Sequence, residues 1–174
     1  TIAAPRNEWQ LRQMMYAASK ADTPTVIRYP RGLGEGVEWR DTAFVETDMR
    51  GEELKAGSDI AIIAVGTMAN VALRAAERST LSVAVYDLRY IKPLDTEMLD
   101  YIGSRFSKII TIEDGAVRGG VGEAIAAYLS RQGYTLRVKN LGIGDTFVEH
   151  GKPTELYAEC AYDEAALIET IETI

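Results

Sequence analysis

The apolar positions of this chain follow two alternating patterns. From residue 60 onward, short runs rich in Val, Ile, Ala and Leu alternate with stretches whose apolar residues recur every three or four positions. The runs Ile60–Val65, Ser82–Leu88, Lys108–Ile112 and Leu136–Leu141 predict β-strands. Their near-continuous hydrophobicity is what strands of a parallel sheet need when helices cover both faces. The periodic stretches 69–78, 96–105, 122–131 and 164–171 predict those helices. Polar Glu52–Lys55, followed by a Gly57-Ser58 turn, predicts a hairpin that adds one antiparallel edge strand. The expected architecture over residues 51–174 is a three-layer α/β/α domain with a mostly parallel sheet.

The front of the chain reads differently. Pro5-Arg6-Asn7 precedes Trp9, Leu11, Met14, Met15 and Ala18, the spacing of an amphipathic helix with Asn7 as N-cap. Thr25–Tyr29 predicts a short β-branched strand, stopped by Pro30. Residues 32–50 carry Gly32, Gly34, Gly36 and scattered charges without periodicity, and read as a linker. One helix and one strand cannot enclose a core, so residues 1–31 are expected to be the trailing edge of a preceding domain. The opening Thr-Ile-Ala-Ala-Pro has neither Met nor a basic-then-apolar leader, and the chain is expected to be a fragment.

Composition narrows the function. With 47% hydrophobic and 26% charged residues, the 174-residue chain has the make-up of a soluble globular protein. Its 19 basic and 26 acidic residues give a net charge of −7, the wrong sign for a surface that tracks nucleic-acid phosphates. No apolar run reaches the 18 or so residues of a membrane span. Neither nucleic acid nor membrane is expected as a partner. A single cysteine and a single histidine allow no internal disulfide and no Cys/His zinc site, which suits a reducing, cytoplasmic setting.

In an open parallel sheet, ligands bind beyond the carboxyl ends of the strands. Those ends carry Gly66-Thr67, Asp87 to Arg89, Glu113-Asp114 and Gly142 to Asp145. Asp87 with Lys92 resembles a phosphoacceptor pair, yet the first strand lacks the acidic pair that such a site needs. The other reading is a turn in which Pro93 and Asp95 start the next helix, Asp95 as N-cap. Gly119-Gly120-Val121-Gly122, ahead of a helix, would suit either a phosphate on free N–H groups or close packing of the helix start. Gly32-Leu33-Gly34-Glu35-Gly36 leads into no helix and fails as a dinucleotide fingerprint. Arg28 and Arg31 flank Tyr29-Pro30 where a strand ends, and a guanidinium fork suits bidentate contact with phosphate. His150 reads as a general base or as a plain loop histidine, and Cys160 as a small core residue.

Several stretches together resemble the C-terminal portion of the 1-deoxy-D-xylulose-5-phosphate synthase family, within the transketolase-like thiamine diphosphate enzymes. They are the RYPRG stretch Arg28–Gly32, IAIIAVGT at 60–67, RYIKPLD at 89–95, Ile112-Glu113-Asp114 with Gly119–Gly122, and the 141–151 loop with its D-x-F-x-x-H-G pattern. The middle motifs are shared with transketolases and 2-oxo-acid dehydrogenase β subunits; the first and last discriminate. Gly144 stands where the family pattern has Pro, and Asp114 where it has Glu. The resemblance implies a transketolase C-terminal-like domain over 51–174. It implies a parent transferase that uses thiamine diphosphate and Mg²⁺ to condense pyruvate with D-glyceraldehyde 3-phosphate, releasing CO₂. It implies a homodimer, and Arg31 as the residue that binds the aldehyde's phosphate. The family's catalytic, cofactor and metal residues lie upstream, so none is expected here and no cofactor is expected to bind this fragment. A dehydrogenase β-type chain or a transketolase domain is the alternative, and a free-standing binding module a third.

Overall fold

The computed structural model describes residues 1–45 and 48–174; positions 46 and 47 of the expected linker lie outside the described residues. In chain order the elements are β1 (Ile2–Ala3), α1 (Glu8–Lys20), β2 (Val26–Ile27), β3 (Glu52–Lys55), β4 (Ile60–Ala64), α2 (Met68–Arg78), β5 (Val83–Asp87), β6 (Tyr90–Lys92), α3 (Thr96–Arg105), β7 (Lys108–Ala116), α4 (Val121–Arg131), β8 (Arg137–Ile143), α5 (Pro153–Glu159) and α6 (Glu164–Thr173).

The larger sheet has the order β3-β5-β4-β7-β8, parallel throughout except for β3 at its edge. All five residues of β4 are buried because both of its faces are covered. Ile60, Ile62 and Ala64 join Val83, Val85, Ile110 and Ile112 under α2 and α6. Ala61, Ile63 and Val65 face the other way, with Tyr86, Leu88 and Ile109 under α3 and α4. A period of two along one strand thus feeds two separate cores, the three-layer arrangement expected. Asn7 and Asp95 cap α1 and α3 as anticipated, accepting from Gln10 N and Met98 N at 2.9 and 3.0 Å.

The expected hairpin is corrected by the pairing. β3 runs antiparallel to β5, not to β4. β4 has parallel neighbours on both sides, so no edge is left for β3. The chain instead crosses the start of β5, where Ser58 N and Asp59 N both donate to the Ser82 carbonyl. A Cβ at Gly57 would collide with the backbone of Val83 and Ala84. The polar sequence of β3 suits the edge position it takes.

A second, three-stranded sheet has the order β2-β1-β6. β1 is parallel to β2 and antiparallel to β6. The amino-terminal segment is therefore stitched to the chain just beyond β5. Residues 32–45 form no helix or strand, and part of this stretch lies along α1. There Arg12 donates to the Thr42 carbonyl at 2.8 Å, Val45 N donates to Gln13 Oε1 at 2.9 Å, and Phe44 stacks on Tyr16 at 4.1 Å.

Ile62 is fully buried in the central strand. Ile62→Ala should lower the chain's unfolding free energy by about 2–5 kcal/mol, seen as a lower urea midpoint with an unchanged slope.

Candidate functional site

β4 is flanked by β5 on one side and β7 on the other, so the connections diverge above its carboxyl end, the place where doubly wound sheets leave a crevice. Here the amino-terminal segment occupies that edge. Ala4 N donates to the Arg89 carbonyl at 2.8 Å, and Asn70 Nδ2 donates to the Arg6 carbonyl at 2.8 Å. Gly66, at φ +61°, turns beneath Ala4, and a Cβ there would lie 3.5 Å from that alanine.

Asp87, the last residue of β5, is fully buried and accepts from Gln10 Nε2 at 2.8 Å and from Arg89 N at 3.1 Å. Arg6 Nε lies 3.5 Å from the same carboxylate. Burial pushes its pKa from 3.8 up to about 6, against the opposing pull of Gln10, the Arg89 backbone and the two arginines. A phosphoacceptor must meet a phosphodonor in solvent. Asp87 has no exposed surface, and Lys92 is an exposed residue of β6 rather than its partner. Asp87 ties α1 to the sheet.

The start of α4 is also closed. Glu113 is buried and accepts from Val121 N at 3.1 Å and Gly122 N at 2.8 Å, placing a carboxylate where a phosphate would otherwise sit. A Cβ at Gly122 would strike Thr111 Oγ1, and one at Gly120 would strike the Ala116 carbonyl. Of the two readings of this glycine run, close packing is the one realised.

Asp114 follows on β7. Its Oδ1 accepts from Tyr162 OH at 3.0 Å, and its Oδ2 accepts from Tyr157 OH at 3.2 Å. Arg28, at the end of β2, donates to the Asp114 main-chain oxygen, and its Nη2 lies 4.0 Å from the Asp114 carboxylate. Burial first and the Asp114 charge second push the Tyr157 phenol up to about 12.

The turn after Arg28 borders a groove of about 240 Å³ lined by residues including Arg6, Glu8, Tyr29, Pro30, Leu33 and Thr67. Glu8 Oε1 accepts from Gly36 N at 2.8 Å and so holds the far wall. The Glu8 carboxyl is held below its ordinary value by its own backbone N–H and by that of Gly36. Arg31 is exposed at this turn, with no hydrogen-bond or ion-pair partner among the described residues, and it is not part of the groove lining. Arg28 and Arg31 thus differ: the first is engaged by the protein and the second is free.

The model of the transketolase C-terminal domain matches residues 50–167. The chain belongs to the transketolase C-terminal domain family. It is similar to the 1-deoxy-D-xylulose-5-phosphate synthase of Bacteroides thetaiotaomicron, 45% identical over 172 residues, covering 96% of this chain and 27% of that protein. The corresponding synthase of Parabacteroides distasonis is 41% identical over 175 residues, 98% of this chain and 28% of that protein. The chain therefore spans little more than a quarter of these relatives. Among solved structures, a split-gene transketolase described as an inactive beta4 tetramer superposes with a TM-score of 0.84 at 28% identity, over 98% of this chain and 55% of that one. A Campylobacter jejuni transketolase, 17% identical over 99% of this chain and 26% of that one, shares the fold at a TM-score of 0.68.

The other candidates of this transketolase C-terminal chain fall outside the crevice. His150 is exposed in the loop before α5, and Cys160 is half-buried against the core beneath α2 and α6. The residues that sequence reasoning missed are Arg6 and Gln10. Gln10 is 77 positions from Asp87 in sequence, and no local pattern marks that pairing.

Because the Asp87 carboxyl lies above its unfolded value, the folded chain retains a proton between about pH 4 and 6 that the unfolded chain releases. This group's contribution is full below pH 4 and falls as pH rises to about 6. Relative to Asp87→Asn, the unmodified chain should lose up to about 3 kcal/mol of stability across that window. Parallel denaturation curves for the two proteins at pH 4 and 6.5 would contradict this.

Proposed function

We propose that the chain is the C-terminal portion of a thiamine diphosphate-dependent transferase that joins a two-carbon unit from pyruvate to D-glyceraldehyde 3-phosphate, giving 1-deoxy-D-xylulose 5-phosphate and CO₂. Arg31 binds the phosphate of the aldehyde. The observation that carries this reading is that Arg31, in the RYPRG turn, is exposed beside a groove and has no partner among the described residues, whereas Arg28 is engaged by Asp114. A charge-assisted fork on the phosphate holds the acceptor aldehyde by its far end, leaving its carbonyl to the reacting centre.

In this reading residues 1–31 complete a preceding pyrimidine-binding domain, 32–50 link, and 51–174 form the C-terminal domain of a cytoplasmic homodimer whose product feeds isoprenoid, thiamine and pyridoxal precursors. No helix among the described residues is long and apolar enough to cross a membrane. We place the cofactor's diphosphate and Mg²⁺ outside this chain. Two observations support this: Glu113 fills the start of α4, and among the described residues no three His, Cys, Asp or Glu side chains are grouped so that they could hold a metal ion.

In the full-length enzyme, Arg31→Ala should raise KM for glyceraldehyde 3-phosphate by about 10- to 100-fold and leave KM for pyruvate within twofold. Equal effects on both substrates would refute the assignment and favour the dehydrogenase-type alternative, in which the acyl acceptor carries no phosphate. Titration of thiamine diphosphate and Mg²⁺ into the 174-residue chain should give no heat of binding, and stoichiometric binding would move the cofactor site into this chain.

A further inference from the structure

Asp114 holds more than its own helix layer. The carboxylate lies at the end of β7, next to Glu113, whose side chain is fixed by two backbone N–H groups of α4. Successive residues of a strand point to opposite faces, so Glu113 serves the α4 face and Asp114 the face of α5 and α6. There Tyr162, only 1% exposed, and Tyr157 each spend a hydroxyl on it, with their rings 5.0 Å apart. That arrangement keeps the carboxylate from rotating. Its remaining outlook is toward Arg28, which contacts both its main-chain oxygen and its side chain. Arg28 N is itself bound to the Ala3 carbonyl at 2.8 Å.

Arg28 is the last fixed residue before the free one. Between it and Arg31 stand Tyr29 and Pro30. Proline locks its own φ and restricts the residue before it to extended conformations, so little torsional freedom separates the anchor from Arg31. Orientation imposed on Arg28 is passed along this short, stiff connection.

We propose that Asp114, held by Tyr157 and Tyr162, is a positioning residue that aims Arg31 through Arg28 and thereby sets the affinity for the substrate's phosphate. The inference rests on the reading of Arg31 as the phosphate ligand. It gives the C-terminal domain a defined part in substrate recognition, delivered from β7 to a turn that belongs to the amino-terminal segment.

The test uses the full-length enzyme and five variants. Asp114→Asn keeps the shape, lets one phenol donate to the amide oxygen while the other turns to accept from the amide nitrogen, and drops the charge facing Arg28. It should raise KM for glyceraldehyde 3-phosphate roughly three- to tenfold, with kcat and the pyruvate KM within twofold. Asp114→Glu keeps the charge and should stay within twofold of the unmodified enzyme. In an Arg31→Ala background, Asp114→Asn should add less than twofold, because its effect runs through the missing side chain. Arg28→Ala removes a side chain that is 47% exposed, so folding survives, and it should reproduce the Asp114→Asn pattern even if that variant misfolds. The proposal is overturned if Asp114→Asn and Arg28→Ala leave the aldehyde KM unchanged, raise both substrates' KM together, or add their full factor on top of Arg31→Ala. If Arg31→Ala alone leaves the aldehyde KM unchanged, the function reading itself has failed and this inference falls with it.

Discussion

A carboxylate with no exposed surface terminates β5, and the arrangement of the amino-terminal segment follows from how it is satisfied. Asp87 could not remain buried and ionised at neutral pH without partners. Gln10 and Arg6 supply them from α1 and the residues just before it. Removing either would leave a charge uncompensated in the interior, the costly half of a buried pair. Once Gln10 and Arg6 are fixed, the start of α1 is fixed. β1 is then placed beside β6, and the 29–35 turn is placed against α1 across the groove. One polar contact spanning 77 residues therefore couples two parts of the chain that composition alone would separate.

The carboxyl edge of the sheet is acidic at three points, and each acid has a different structural use. Asp87 docks α1. Glu113 closes the start of α4, where the helix dipole favours a negative charge. Asp114 gathers two tyrosines and Arg28. In many doubly wound sheets the same edge is left open for a ligand. Here the chain's own side chains and its first residues line it and narrow it to the groove beside Thr67.

Most of the architecture was legible because it depends on local pattern. The all-buried Ile60–Ala64, the periodic helices and the Asn7 and Asp95 caps announce themselves within a few residues. The pairing of β3 was not legible, since a polar strand followed by a Gly-Ser turn reads as a hairpin whether or not the next strand has an edge to spare. That depended on β4 having parallel neighbours on both sides, a property of the whole sheet. β1, β2 and β6 are two or three residues long, and β1 and β6 carry no periodicity to read. At the site, sequence singled out Arg28 and Arg31 together. Only the contact with Asp114, 86 residues away, separates an engaged arginine from a free one.

That separation bears on where recognition can happen. Ala4, Arg6 and Gln10 occupy the sheet edge and narrow the usual crevice to a groove beside Thr67, and Glu113 takes Val121 N and Gly122 N at the start of α4. In the proposed enzyme, a phosphate-binding group that lies outside the sheet must still be held by it, or it would lose its aim to the flexibility of a surface turn. The Arg28–Arg31 stretch meets both conditions. Its first arginine is anchored on β7, its proline limits the turn, and its second arginine is exposed with no partner among the described residues. In the proposed enzyme, the C-terminal domain acts on the substrate through this anchored turn rather than by touching it.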